Sequence, residues 1–308
     1  MRTRTLVLLC LVVAAVASVV SVPLAYAGSH SPATPFGTAK TASQPKPPLP
    51  TLVIPADPNS IKAPANLDYF GWTLIDRQTG QSAGSANAET TDSTTESMIK
   101  AWIAADYLRH HDNPAQSDLD ALNSMIIHSD DNIAQTYFVA DGGESSIDEL
   151  VQVCGLKDTH EASGPVAGKW SYTMMSPADA ARMGLCIADN KAAGAKWTPW
   201  LLTSMKHVVG SVQDQQATTG GGRWGIIDGL PSYLQSSTAM KNGWTAQVYN
   251  DDDWHINCLA INTGWVLAIE LRYPWTSPDG RWEDADNLAV GANDCAAVTK
   301  ELVGVPAG

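Results

Sequence analysis

At 308 residues with 44% hydrophobic content, the chain carries enough apolar surface for one large domain or two small ones, which excludes global disorder. Nineteen basic against 32 acidic residues leave a net charge of −13, a balance that excludes nucleic acid and anionic membranes as partners.

Residues 1–27 hold Arg2 and Arg4, an apolar run from Leu6 to Val20 and the small-residue site Ala25-Tyr26-Ala27. Together they read as a signal peptide cleaved after Ala27. The run is short for a membrane span, and Cys10 lies too early in it for a lipidation site. The reading is therefore a secreted, extracellular chain with no stable membrane insertion after cleavage. Loss of the leader takes the net charge to −15 and leaves four cysteines. In an oxidising compartment these pair, and three pairings are possible. Cys154 and Cys186 fall on neighbouring predicted helices, Cys258 in a predicted strand and Cys295 in the last helix, which favours 154 with 186 and 258 with 295. No two cysteines share a metal-ligand spacing.

Residues 28–65 contain nine of the 18 prolines among Ser, Thr, Ala and Lys, and read as an extended tether. The domain proper is placed at 66–308. From Tyr69 to Asp76, Phe70, Trp72 and Leu74 alternate with smaller residues, and turn chemistry from Asp76 to Gly80 leads into a second short strand. This hairpin feeds a helix from Ser97 to about His110, with Met98, Trp102, Ala105 and Leu108 on its apolar face. Pro114 and Ser117 start another helix, which ends at the polar break His128-Ser129-Asp130-Asp131-Asn132; a further helical segment spans Ile133 to Val139. Ser146 with Glu149 forms a capping-box pattern for a helix ended by Gly155, and Ser176-Pro177 opens the helix that carries Cys186. Between these two, Lys157 to Met175 lacks periodicity and reads as a long loop, a kind that is often functional.

Thr198-Pro199 starts one more helix, ending near Gly210, before the glycine-rich stretch from Thr218 to Gly222. Three segments, Ser236 to Trp244, Trp254 to Ile261 and Trp265 to Tyr273, then read as an antiparallel meander, covered by a final helix from Asn287 to Val303. Strands at both ends with helices between them imply one sheet built from both termini and an inserted helical subdomain.

Ser97 and Lys100 lie three residues apart on one helical face, so the amine reaches the hydroxyl. A serine hydroxyl is a weak nucleophile until an adjacent base takes its proton, and a lysine serves as that base only when its pKa is lowered. Two further motifs follow, Ser129-Asp130-Asp131 and Lys241-Asn242-Gly243. The ordered set resembles the Ser-x-x-Lys, Ser-Asp-Asn and Lys-Thr-Gly motifs of class A β-lactamases and penicillin-binding peptidases. The resemblance runs from about Leu67 to Val303. It includes Thr218-Thr219-Gly220 with Arg223, Gly225 and Gly229-Leu230-Pro231, and Ser176-Pro177 at the start of the helix after the omega loop.

The resemblance implies an α/β three-layer sandwich, an antiparallel sheet flanked by helices, beside an all-helical subdomain. It implies Ser97 as nucleophile, Lys100 as base and Ser129 as relay to the leaving group. Lys241 is then the cation for a substrate carboxylate, and the backbone N–H groups of Ser97 and Trp244 form the oxyanion hole. Glu161 falls near the omega-loop glutamate that positions the hydrolytic water. Asp131 and Asn242, with Gly243, occupy substrate-binding positions, but Asp131 stands where the family has asparagine and Asn242 where it has threonine. The first change replaces a donor amide with an acceptor-only carboxylate, and the second loses a hydroxyl. The implied activity is that of a secreted serine hydrolase acting on a β-lactam or related amide, with a cell-wall peptidase or a non-catalytic binding module as alternatives. Its partner is a small β-lactam or a peptidoglycan peptide, the chain is read as a monomer, and neither metal nor organic cofactor is required. His110-His111-Asp112 does not alter this, since adjacent residues at a helix end point in different directions.

Overall fold

The computed structural model describes residues 51–52, 54–55, 57–218, 220–246, 253–275 and 287–304. The signal peptide read at 1–27 and the tether as far as residue 50 lie outside them. The last part of the expected tether is ordered: β1 (Thr51–Leu52) pairs antiparallel with β10 (Val303–Gly304), and a 3₁₀ turn follows at Pro58–Ser60, capped by the Asp57 carboxylate.

The hairpin comprises β2 (Tyr69–Asp76) and β3 (Ser82–Gly84). β4 (Ser93–Thr94) and a 3₁₀ turn, Glu96–Ile99, then lead into α1 (Lys100–His110). Ser97 therefore sits in the 3₁₀ turn that precedes α1 and not in the α-helix expected to start there. After it come α2 (Gln116–His128), α3 (Asp131–Ala140) and α4 (Glu144–Cys154). α4 begins at Glu144, with Gly143 as its N-cap, and not at the expected capping box. Ser146 is buried inside the helix, where its Oγ donates to Asp106 Oδ2 at 2.5 Å and accepts from Trp102 Nε1 at 3.0 Å.

The expected long loop contains a 3₁₀ turn at Trp170–Tyr172 and β5 (Met174–Met175), which pairs with β4. α5 (Pro177–Ala188) is capped by Ser176 as read from the sequence. α6 (Gly194–Lys206) starts before Thr198-Pro199 and takes Pro199 inside it. Three short helices were not anticipated: α7 (Val212–Thr218), α8 (Ile226–Gly229) and α9 (Ser232–Gln235). The strand expected at 236–244 is broken into β6 (Ala239–Met240) and β7 (Gly243–Thr245), because the side chains of Lys241 and Asn242 between them turn into the protein. β8 (Asp253–Ile261), β9 (Trp265–Pro274) and α10 (Asn287–Leu302) complete the chain.

The main sheet is antiparallel in the order β3-β2-β9-β8-β6, with β7 also on β8. Period-two alternation divides its faces. Leu259, Ile261 and Val266 meet α5 at Gly184, where an added Cβ would lie 2.7 Å from Val266. Ile256 and Tyr273 meet α10 at Gly291, and Cys258 on that same face is disulfide-bonded to Cys295 of α10. The result is a three-layer sandwich. Beside it α1 is buried from Lys100 to Leu108 and packs against α2, α3, α4 and α6, forming the core of the helical subdomain. The second disulfide joins Cys154 on α4 to Cys186 on α5, so both expected pairings are present. Among the described residues no helix is long and apolar enough to cross a membrane.

Candidate active site

Three junctions of the fold converge on Ser97. Lys100, the first residue of α1, is fully buried, and its Nζ lies 2.8 Å from Ser97 Oγ. The α2–α3 break contributes Ser129, held at φ 59 in the left-handed region, with its carbonyl 2.7 Å and its Oγ 3.1 Å from Lys100 Nζ. Asp131 Oδ1 is 2.5 Å from the same nitrogen. From the β6–β7 break, the buried Lys241 places Nζ 3.0 Å from Ser129 Oγ and donates to the Asn242 carbonyl at 3.0 Å. The Ser129 hydroxyl thus bridges two lysines. An ammonium has three hydrogens, and Lys100 has four oxygens within reach, so one acceptor shares or yields its place. The neutral amine accepts the Ser97 proton instead.

Burial holds the Lys100 amine below its ordinary range, against the Asp131 carboxylate, which raises it. Burial, and then the Lys100 charge, push Lys241 well below its own. The indole of Trp170 adds a face 4.9 Å from Lys100 Nζ.

β7 closes off Ser97 from the sheet side. A Cβ at Gly243 would stand 2.7 Å from Ser97 N and 2.6 Å from Thr95 O, so this approach requires glycine. Trp244 follows, stacked on Trp254 with ring centroids 5.4 Å apart. The cleft above Ser97 has a volume of about 570 Å³, and Trp170, Tyr172 and Trp244 supply its aromatic walls. Asp131, Asn132 and Gln135 line it from α3. Asp131 keeps 65% of its side chain exposed while reaching Lys100, and so stands at the cleft as expected.

Two expectations need correction. Glu161 is not among the residues that line the cleft above Ser97; it lines a neighbouring recess with Phe138, Glu144 and Ile147, which shares Lys169 and Trp170 with that cleft. The Asp179 carboxylate accepts from Lys157 N, Asp158 N and Thr159 Oγ1, and the backbones of His160 and Met174 pair. These anchors order the loop that carries Glu161 and brings the Trp170–Tyr172 turn to the cleft. Glu161 is raised by burial and by its neighbours Glu144 and Asp148. The second correction is Asn242, which is fully buried. Its amide donates to the carbonyls of Gly222 and Trp224 at 3.0 and 2.7 Å, so it binds the stretch before β6 and not a ligand.

Several residues of the cleft escaped sequence reading. Trp170 and Tyr172 carry an aromatic signal in an aperiodic loop, and Asn132 with Gln135 extends the α3 motif by one helical turn. Glu96 lines the cleft directly before Ser97, 5% exposed and at φ 49, and was visible only as a neighbour of Ser97.

No family model matches the chain. A Mycobacterium tuberculosis protein, LppW, provisionally named a lipoprotein, is 28% identical over 232 residues. That match takes in 73% of this chain and 66% of LppW, just under two thirds of the relative. Among solved structures, PBP-A has a TM-score of 0.54 at 15% identity, covering 79% of this chain and 92% of its own. A PBP-A variant described as an acyl-enzyme complex with penicillin G has a TM-score of 0.53 at 15% identity, covering 77% and 90%. A class A β-lactamase from Mycobacterium abscessus has a TM-score of 0.53 at 14% identity, covering 75% and 91%. The chain therefore has the β-lactamase/transpeptidase-like fold.

Proposed function

We propose that the protein is a serine acyl-transfer enzyme of the cell envelope, which opens an amide or lactam through an ester on Ser97. The observation that carries this reading is the 2.8 Å contact between Lys100 Nζ and Ser97 Oγ inside a buried network with Ser129 and Lys241. Neutral Lys100 takes the Ser97 proton as Oγ attacks the carbonyl carbon. The N–H groups of Ser97 and Trp244 receive the developing oxyanion, a kind of donor worth roughly 3 kcal/mol of barrier. Ser129, between the two lysines, passes the proton to the leaving nitrogen. LppW's naming as a lipoprotein supports an envelope location, and the PBP-A acyl-enzyme supports penicillin-like probes as acyl donors.

The placement of Glu161 favours a second reading within the same chemistry. A cell-wall peptidase needs Ser97, Lys100 and Lys241 but no omega-loop glutamate, and this loop presents Trp170 to Lys100 instead. In either case, incubation with fluorescent penicillin or an activated ester adds one acyl mass to a peptide containing Ser97, and Ser97→Ala abolishes it. Absence of any adduct under quenched conditions rejects both readings in favour of a binding module.

A further inference from the structure

A second polar chain runs beside the nucleophile and takes no part in the acylation steps above. Glu96 precedes Ser97 with its backbone at φ 49, in the left-handed region that a non-glycine residue rarely adopts. Its Oε1 lies 2.7 Å from Thr94 Oγ1, and that hydroxyl lies 2.7 Å from His255 Nδ1. Ser93 Oγ is 3.3 Å from the same ring nitrogen, and His255 Nε2 is 3.2 Å from Asp253 Oδ1. Asn257 Nδ2 donates to the Thr94 carbonyl at 2.8 Å, which fixes β4 against β8 and holds the chain in register. All of Ser93, Thr94, Glu96 and His255 are buried, yet Glu96 lines the cleft.

A hydroxyl has one hydrogen. If Thr94 donates to Glu96, His255 Nδ1 donates to Thr94. If Thr94 donates to His255, Glu96 is the protonated partner that donates to Thr94. The two ends of the chain therefore share one proton across Thr94. Of the carboxylates lining the cleft among the described residues, Asp131 is paired with Lys100, which leaves Glu96.

We propose that Glu96 is an acid–base residue of this site, which takes a proton from the water that hydrolyses acyl-Ser97 and shares it with His255 through the Thr94 hydroxyl. This rests on the acyl-enzyme reading. As the water oxygen bonds to the acyl carbon, its proton passes to the Glu96 carboxylate. The bond from that carbon to Ser97 Oγ breaks, and the proton held by Glu96 returns to Oγ through solvent in the cleft and through Lys100, which acylation leaves neutral. Burial pushes the Glu96 carboxyl up to about 8; Asp131 adds to this, and the Thr94 hydrogen bond and the Lys100 charge oppose it.

The test follows loss of the acyl mass after excess probe is removed, between about pH 6 and pH 9.5, the span around the value given for Glu96. In the parent the rate rises with pH through a midpoint near 8. Glu96→Gln still acylates but releases the acyl group about a hundred- to ten-thousand-fold more slowly, without that limb. Thr94→Val moves the midpoint upward, because the lost O–H stabilised the carboxylate, and a purely structural role does not move it in this way. Release by Glu96→Gln at the parent rate and midpoint overturns the proposal. If that variant does not fold, an unchanged Thr94→Val midpoint overturns it. If the parent never acylates, the acyl-enzyme reading falls and the hydrolytic role falls with it.

Discussion

Two carboxylates next to the lysines set the pH behaviour of single residues. Burial lowers the Lys100 pKa while Asp131 raises it, so Asp131→Asn removes the largest of the influences that oppose the lowering and leaves only those of Asp130 and Glu96. The pH limb of Ser97 acylation is expected to move to lower pH in that variant, read from adduct formation against pH; an unmoved limb removes Lys100 as the base. Glu96 acts on stability with a definite sign. Its folded value of about 8 lies above the reference value of 4.5, so the native state binds the extra proton across that window. The corresponding stabilisation is full below about pH 4.5 and is lost as pH rises through about 8. Urea unfolding at low and high pH should therefore show the parent losing stability relative to Glu96→Gln as pH rises, and a constant difference rejects the shift. Ser97, Lys100, Ser129, Asp131 and Lys241 were all legible, because motif spacing survives in one sequence. Glu96 was not, since nothing in a linear pattern says that Thr94 and His255, far apart in the chain, flank one hydroxyl hydrogen.

Among the elements, β7 carries the tightest constraint. A methyl at Gly243 meets backbone atoms of Thr95, Ser97 and Met98 at 2.6 to 2.7 Å, and backbone does not yield as a flexible side chain does. Gly243→Ala is expected to displace β7 from the nucleophile's turn, at about 1–3 kcal/mol of stability. Loss of one oxyanion donor would slow acylation by about a hundred- to a thousand-fold. Wild-type acylation by a folded Gly243→Ala would show that the strand does not form the oxyanion hole. Helices with strong local signals, such as α5 behind Ser176-Pro177, were legible nearly to the residue. Others failed where tertiary contacts outweighed local pattern: Ser146 gave up capping for a buried bond to Asp106, and α6 absorbed Pro199. The strand before Trp244 broke for the same reason, since alternation cannot reveal that Lys241 and Asn242 find their partners inside.

At the scale of the whole molecule, the two disulfides tie α4 to α5 and β8 to α10. The unfolded, unreduced protein is expected to show none of Cys154, Cys186, Cys258 and Cys295 as a free thiol. Losing either bridge should cost about 2–5 kcal/mol, measured by denaturant unfolding of paired Cys→Ser variants. The sheet itself sets a different demand. β2 bonds along its length to β9, with partners such as Trp72 and Ile269 about two hundred residues apart, whereas the disulfides span 32 and 37. Loop closure grows costlier with separation, and pairings of this range are slow to form. The α4–α5 bridge can thus close while the sheet is still a lone hairpin. Ser97 and Lys100 meet early for the same reason, but Lys241 joins them only once β8 and β9 have arrived. Until then the assembling chain holds Ser97 and Lys100 together without Lys241, and the complete polar network around Ser97 is the last feature of the fold to form.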